Sequence, residues 1–196
     1  MIELVVLGAT LALAAGASGA RARRRIVASR TLERYASWRS HLYVPAKQRK
    51  ESPRVEGTKN DVSFTIDLVK VSGVLKTRVC APVTKGPSAK IAVVQRGAIG
   101  RALRTRADDE IPVGIASFDH AYRLHGMVPD EARVWLEESL AHLVCLDERN
   151  DVWLGSDGAS VTLTWTGVEM NPLLLDAARD LAVSLAGWHR PEFPYR

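Results

Sequence analysis

Seventeen consecutive residues without a charge, Leu4 to Ala20, are closed by Arg21, Arg23, Arg24 and Arg25. As a helix this run would span about 25 Å at roughly 1.5 Å per residue, the short end of what crosses a bilayer. Leu4, Val5, Val6, Leu7, Leu11 and Leu13 supply most of its apolarity, and the remainder is mainly Ala and Gly. A secretory signal begins with a basic segment and ends at a small-residue cleavage site. Here the first charge is Glu3, and the cations come after the apolar run. Arginines in that position resist translocation and hold the downstream chain on the cytoplasmic side. The run therefore predicts an uncleaved transmembrane helix over residues 4–20, single-pass in a bacterial inner membrane, N-terminus out and body cytoplasmic. A cleaved or reversed signal and a non-membrane helix are the competing readings. Gly8, Ala12 and Gly16 recur every four residues, a groove through which two such helices could associate into a homo-oligomer. A segment rich in Ala and Gly also produces that spacing by chance.

Charge is distributed unevenly behind this run. Residues 21–54 hold eleven Lys or Arg against Glu33 and Glu51, a local +9 within a whole-chain +5, which leaves −4 for the rest. Basicity beside a membrane fits attraction to anionic headgroups, at roughly 1 kcal/mol per cation near the surface. The candidate headgroup contacts are Arg21, Arg23, Arg24, Arg25, Arg30 and Arg34. Tyr35, Trp38 and Tyr43 interleave with the charges as in some nucleic-acid binders, but the mildly acidic body argues against nucleic acid as the partner. Cys80 and Cys145 stand far apart in no metal-like pairing, and in a cytoplasmic domain are expected as reduced, buried thiols.

Periodicity sets the order of elements. Ile26, Val27, Leu32, Tyr35, Ala36 and Trp38 suit a basic juxtamembrane helix ended near Pro45, with residues 47–60 as a polar linker. Val62, Phe64, Ile66 and Leu68 alternate with polar neighbours as a half-buried strand, and the shift to Val69 and Val71 suggests a bulge or the end of one-sided exposure. Ser72-Gly73 turns the chain into a second strand through Leu75, Thr77 and Val79. Ile91–Val94 reads as a short buried strand. Phe118, His120, Tyr122 and Leu124 alternate as another. Pro129-Asp130-Glu131 opens a helix with acids at its positive end and a stripe of Ala132, Trp135, Leu136, Leu140 and Leu143. Strands at Val152–Leu154 and Val161–Trp165 flank the turn Gly155-Ser156-Asp157-Gly158. Asn171-Pro172 caps a last helix carrying Leu174, Ala177, Ala178, Leu181, Ala182 and Leu185. The predicted organisation is a transmembrane helix (4–20), a basic helix and linker (21–60), an α+β domain (61–187) and a tail (188–196). The domain is expected as a mostly antiparallel sheet under two covering helices, its C-terminal part running β-α-β-β-α.

Phe118-Asp119 with Tyr122 close behind, the helix start Glu131-Ala132-Arg133, the hairpin and the Leu-rich final helix resemble an uncharacterised bacterial membrane-anchored domain family. Ser52-Pro53-Arg54-Val55-Glu56-Gly57, leading into a strand, resembles the start of the same domain. The resemblance implies an anchor and an α+β fold, and carries no activity, cofactor or site residue.

No catalytic signature accompanies these elements. His120 and His125, five apart on one strand, would face opposite sides and could not share a metal. His41 and His142 have no spaced partner. Asp108-Asp109-Glu110 is more simply a solvated acidic loop than a carboxylate pair. Gly97-Ala98-Ile99-Gly100 lacks both the Lys-Ser/Thr of a P-loop and the third Gly of a dinucleotide fingerprint, and Arg96, Arg101, Arg104 and Arg106 around it read as a solvated basic loop. Neither cysteine carries a nucleophile signature. Glu131, Glu137 and Glu138 suit an exposed helix face. By elimination the expected function is a membrane-tethered, non-enzymatic interaction or scaffold module with a protein partner and no cofactor or metal. The alternatives are an enzyme whose site joins the 96–110 loop to Asp119 and His120, and lipid or nucleic-acid binding by residues 21–54.

Overall fold

The computed structural model describes residues 26–47, 51–84, 90–96, 112–127 and 129–188. The expected transmembrane helix, its Gly8/Ala12/Gly16 groove, Arg21, Arg23, Arg24, Arg25 and most of the 96–110 loop lie outside these residues. Among the described residues no helix is long and apolar enough to cross a membrane.

A helix over residues 26–39 (α1) opens the described chain. Strands β1 (Leu42–Val44), β2 (Arg54–Lys59), β3 (Val62–Val71), β4 (Val74–Pro82) and β5 (Ile91–Gln95) come next. After a short helix α2 (Ala116–Ala121) come β6 (Tyr122–His125), helix α3 (Pro129–Val144), β7 (Trp153–Ser156), β8 (Ser160–Thr166) and helix α4 (Pro172–Gly187). The eight strands form one sheet in the order β1-β2-β3-β4-β8-β7-β5-β6. Every neighbouring pair is antiparallel. The α+β class, the antiparallel sheet and the C-terminal β-α-β-β-α order therefore stand.

Alternation explains the layering. Val62, Phe64, Ile66 and Leu68 of β3, Val79 and Ala81 of β4, and Val161, Leu163 and Trp165 of β8 are all buried. Helix α4 lies across β3, β4 and β8, and α3 packs on α4. Leu175, Ala178, Leu181, Ala182 and Leu185 of α4 are inaccessible to solvent, as are Ala132, Leu136 and Leu143 of α3. Each fully buried Leu contributes about 1.5–3 kcal/mol relative to exposure. The Asn171 side chain accepts from the Leu173 N–H at 3.0 Å, capping α4 as its sequence implies.

Helix α1 is more than a juxtamembrane spacer. Ala28, Leu32, Tyr35 and Ala36 bury one stripe in the common core, whereas Ile26, Val27 and Trp38 face solvent. The stretch expected as juxtamembrane helix and linker also contains two strands of the sheet, β1 just before Pro45 and β2 within residues 47–60. β2 pairs with β3 from Arg54↔Asp67 to Lys59↔Val62, and β1 pairs with β2. The signal was weak because Val55 is the one buried apolar side chain in β2. At Gly57 a side chain is excluded: a Cβ would stand 2.6 Å from Phe64 Cζ and 2.9 Å from His41 Nδ1. Asn60 and Asp61 both adopt positive φ (51° and 62°), as do Ser72 and Gly73 (49° and 85°). That is the geometry that lets a two-residue turn match the twist of its strands.

Five further expectations are corrected. β3 runs without a bulge, its register with β4 continuous from Thr65↔Cys80 to Val71↔Val74. Gly155 lies within β7 and not in the turn; the turn is held by Asp157, whose Oδ1 accepts from Ala159 and Ser160 N–H. Phe118 and His120 belong to α2, and the strand begins only at Tyr122. Positions 118 and 122 share a face in a strand and equally in one helical turn, so Phe118 and Tyr122, stacked at 5.7 Å, satisfied both patterns. Glu131 is buried and Cys145 exposed, reversing what was expected of each.

Candidate functional site

The densest polar constellation among the described residues joins α1, β2 and α4. Tyr35 and Arg39 leave α1 one turn apart, and Asp176, Arg179 and Asp180 leave the facing side of α4. The Tyr35 hydroxyl donates to Asp176 Oδ1 at 2.9 Å. Arg39 forks onto the same carboxylate through Nε and Nη2. Arg179 donates from Nη1 to Asp176 (2.8 Å) and to the Tyr35 oxygen (3.3 Å), and from Nε to Asp180 (2.7 Å). Lys59, at the end of β2, completes the set with an ion pair to Asp180 at 2.6 Å.

Local structure sets this convergence. Residues three and four apart on a helix share a face, so Asp176, Arg179 and Asp180 rise together beside the apolar stripe of α4. The Arg179 guanidinium lies 5.9 Å from the centre of the Phe64 ring, which His41 meets edge-on at 5.0 Å. Three cations thus enclose two carboxylates. Burial disfavours the charged form of Asp180, but hydrogen bonds from Arg179 and Lys59 outweigh it and hold the carboxyl below its ordinary range. Burial chiefly, with Asp176 beside it, pushes the Tyr35 phenol above its ordinary value, so it remains a protonated donor at neutral pH. Burial and the nearby Arg179 charge push His41 below its ordinary value, toward neutral imidazole. Asp176 accepts on both oxygens, Asp180 accepts from Arg179 and pairs with Lys59 through Oδ1, and the phenol is committed to Asp176. The arrangement is suited to holding elements together.

The residues singled out from sequence fall elsewhere. Arg30 and Arg34 project one turn apart from the exposed face of α1, so these two of the six arginines share a surface. Arg96 does lie beside the α2–β6 junction: its N–H donates to Ala121 O at 2.8 Å and its Nε to Tyr122 O at 3.2 Å. Asp119, however, accepts from the Val113 N–H (3.0 Å) and the Gly114 N–H (2.8 Å), fixing the turn that precedes α2. His120 stands on α2 and His125 on β6. No group of three His, Cys, Asp or Glu among the described residues could hold a metal ion. Cys80 and Cys145 are both free thiols.

Sequence reasoning missed the Tyr35–Asp176–Arg179 set because its members lie as far as 144 positions apart. The available signal was Arg179, a cation inside the otherwise apolar stripe of α4.

No protein-family model matches the chain, and no curated protein matches it. Among solved structures the fold is similar to the crystal structure of the mycobacterial trehalose monomycolate transport factor A, TtfA. The TM-score is 0.50 at 12% identity, over 81% of this chain and 92% of that one. Identity this low speaks for the fold alone.

Proposed function

We propose that the chain is a membrane-tethered, non-enzymatic interaction module, held by residues 4–20 in a bacterial inner membrane with its folded body on the cytoplasmic side. The observation that carries the reading is the attachment of α1. In sequence this helix comes directly after the arginine-flanked apolar run, and its own residues complete the core and clasp α4 through Asp176. A passive spacer needs no such attachment. Joined this way, the body begins within six residues of the apolar run, which suits a scaffold presenting a surface at a membrane. The arginine cluster supports the sidedness by resisting translocation.

Anchoring is tested by alkaline extraction of membranes from cells making the full chain. The intact chain is expected in the pellet. A variant with Leu7→Asp and Leu11→Arg, which interrupts the apolar run, is expected in the supernatant. An intact chain that is itself extracted contradicts the reading.

A further inference from the structure

At the corner where α1 begins, the usual arrangement of charged-out and apolar-in is inverted. The β3–β4 turn, the end of β8 and the start of α1 enclose an open groove of about 670 Å³, lined chiefly by Val27, Val74, Leu75 and Val168. Ile26, Val27, Val71, Val74, Met170 and Leu173 expose between 44% and 68% of their surface. They are six of the ten large hydrophobics exposed among the described residues. Two of the charged residues interspersed with them, Glu169 and Lys76, turn inward. Glu169, only 7% exposed, accepts from Arg149 Nε at 2.7 Å and from the Met170 and Asn171 N–H groups at 3.0 and 2.9 Å. Lys76, 8% exposed, is paired with Asp151. The rim is also fixed in place: Thr77 Oγ1 accepts from the Glu169 N–H at 3.0 Å and donates to Gly167 O at 2.8 Å. A preformed apolar surface with its charges withdrawn marks an interaction site.

Connectivity and charge identify the occupant. Six Cα steps separate Ala20 from Ile26, so this corner lies within about 22 Å of the end of the apolar run whatever the intervening conformation. Lys70 on the β3–β4 hairpin and Arg30 and Arg34 on α1 are exposed on the two elements that supply Val74 and Val27 to the groove. Residues 68–75 contain no carboxylate, and Glu169 alone within 166–173 is the buried one. Glu33 on α1 is the exposed acid nearest in the chain and sits among Arg30, Arg34 and Arg39, which leaves that helix cationic; Asp147 and Glu148 are on the 145–151 loop that reaches Thr166 through Asn150 O, on the β7 side of the corner. Apolar side chains rimmed by cations are what an anionic bilayer interface accepts.

We propose that this corner docks onto the anionic phospholipid surface of the membrane that anchors the chain, inserting Val71, Val74, Met170 and Leu173 among the headgroups. The proposal rests on the anchoring reading above and goes beyond it, because a tethered body could equally stand clear of the lipid.

The test uses the full chain with Cys80→Ser and Cys145→Ser, reconstituted into phosphatidylglycerol/phosphatidylethanolamine vesicles containing a doxyl-labelled lipid. An environment-sensitive fluorophore is placed in turn at Val74→Cys, Met170→Cys and, at the far end of β3, Ser63→Cys. Flotation first shows whether the chain is anchored. Docking predicts blue-shifted emission at 74 and 170, quenched about twofold or more by the doxyl lipid, with 63 unaffected. Floating protein in which 74 and 170 are quenched no more than 63 overturns docking while the anchor stands. A blue shift without quenching means that protein, a second copy included, covers the corner, and also overturns it. Protein that does not float overturns the anchor and docking together.

Discussion

Tyr35 on the first described helix donates its phenolic hydrogen to Asp176 on the last, 141 residues further along the chain. Around that bond Arg39 and Arg179 converge on the same carboxylate. The first and last described helices, remote in sequence, are thereby fastened directly to each other.

Removing the acceptor should loosen the clasp. Asp176→Ala leaves Arg179, whose side chain is 10% exposed, with only Asp180 as its carboxylate partner, and withdraws the partner of Tyr35. A loss of about 2–3 kcal/mol is expected in urea unfolding, against about 1 kcal/mol for Tyr35→Phe. Because the two act through one bond, the double variant should lose less than the sum.

Stability should fall with acid in two stages. His41 is depressed in the folded state, so folding favours its neutral form. That contribution is complete above the unfolded value near 6.5 and is lost as pH falls from there through the folded value. Asp180 is depressed as well, so its contribution is present above the unfolded carboxylate value near 4 and declines as pH falls below it. Urea midpoints measured from pH 8 to 3 should show both slopes. His41→Asn should flatten the upper one, and Asp180→Asn the lower.

Gly57→Val tests the packing beneath the clasp. The new side chain would press on Phe64, which is buried between His41 and Arg179 and has no room to retreat. A cost of about 1–3 kcal/mol is expected from overpacking, with unchanged strand content by circular dichroism.

Arg30→Glu with Arg34→Glu tests the charge component of docking. At roughly 1 kcal/mol per basic residue, each loss should weaken bilayer contact about fivefold. The readout is emission from a fluorophore at position 74 as the anionic lipid fraction rises. The double variant should require more anionic lipid for the same blue shift, and urea unfolding should be little changed because both side chains are exposed.

Much of the fold was legible because its central elements obey one period each. Val62–Leu68 alternates cleanly, and Leu174–Leu185 keeps a helical stripe, since each buries one face and exposes the other. β2 was illegible for a physical reason: Phe64 occupies the space where Gly57 would otherwise need an apolar side chain. The α2 turn was illegible because Phe118 and Tyr122 suit a helix and a strand equally, and the deciding bonds from the Val113 and Gly114 N–H groups to Asp119 leave no periodic signal. α1 was legible as a helix, and Leu32, Tyr35 and Ala36 do carry its buried face, but Ile26, Val27 and Trp38, equally apolar, face solvent and the small Ala28 takes their place. The docking corner was invisible in a linear reading, because its residues come from three separate stretches and its signal is the inward turn of Glu169 and Lys76.

Sidedness is the most direct test of the proposed function. A C-terminal tag on the full chain is probed with protease added to intact spheroplasts, and again after the membrane is opened. A cytoplasmic body predicts a tag that is protected at first and digested only after opening, with the chain remaining in the membrane fraction. A tag digested from outside intact spheroplasts would place the folded body beyond the membrane, and would contradict the arginine cluster as a topology signal and the cytoplasmic module built on it.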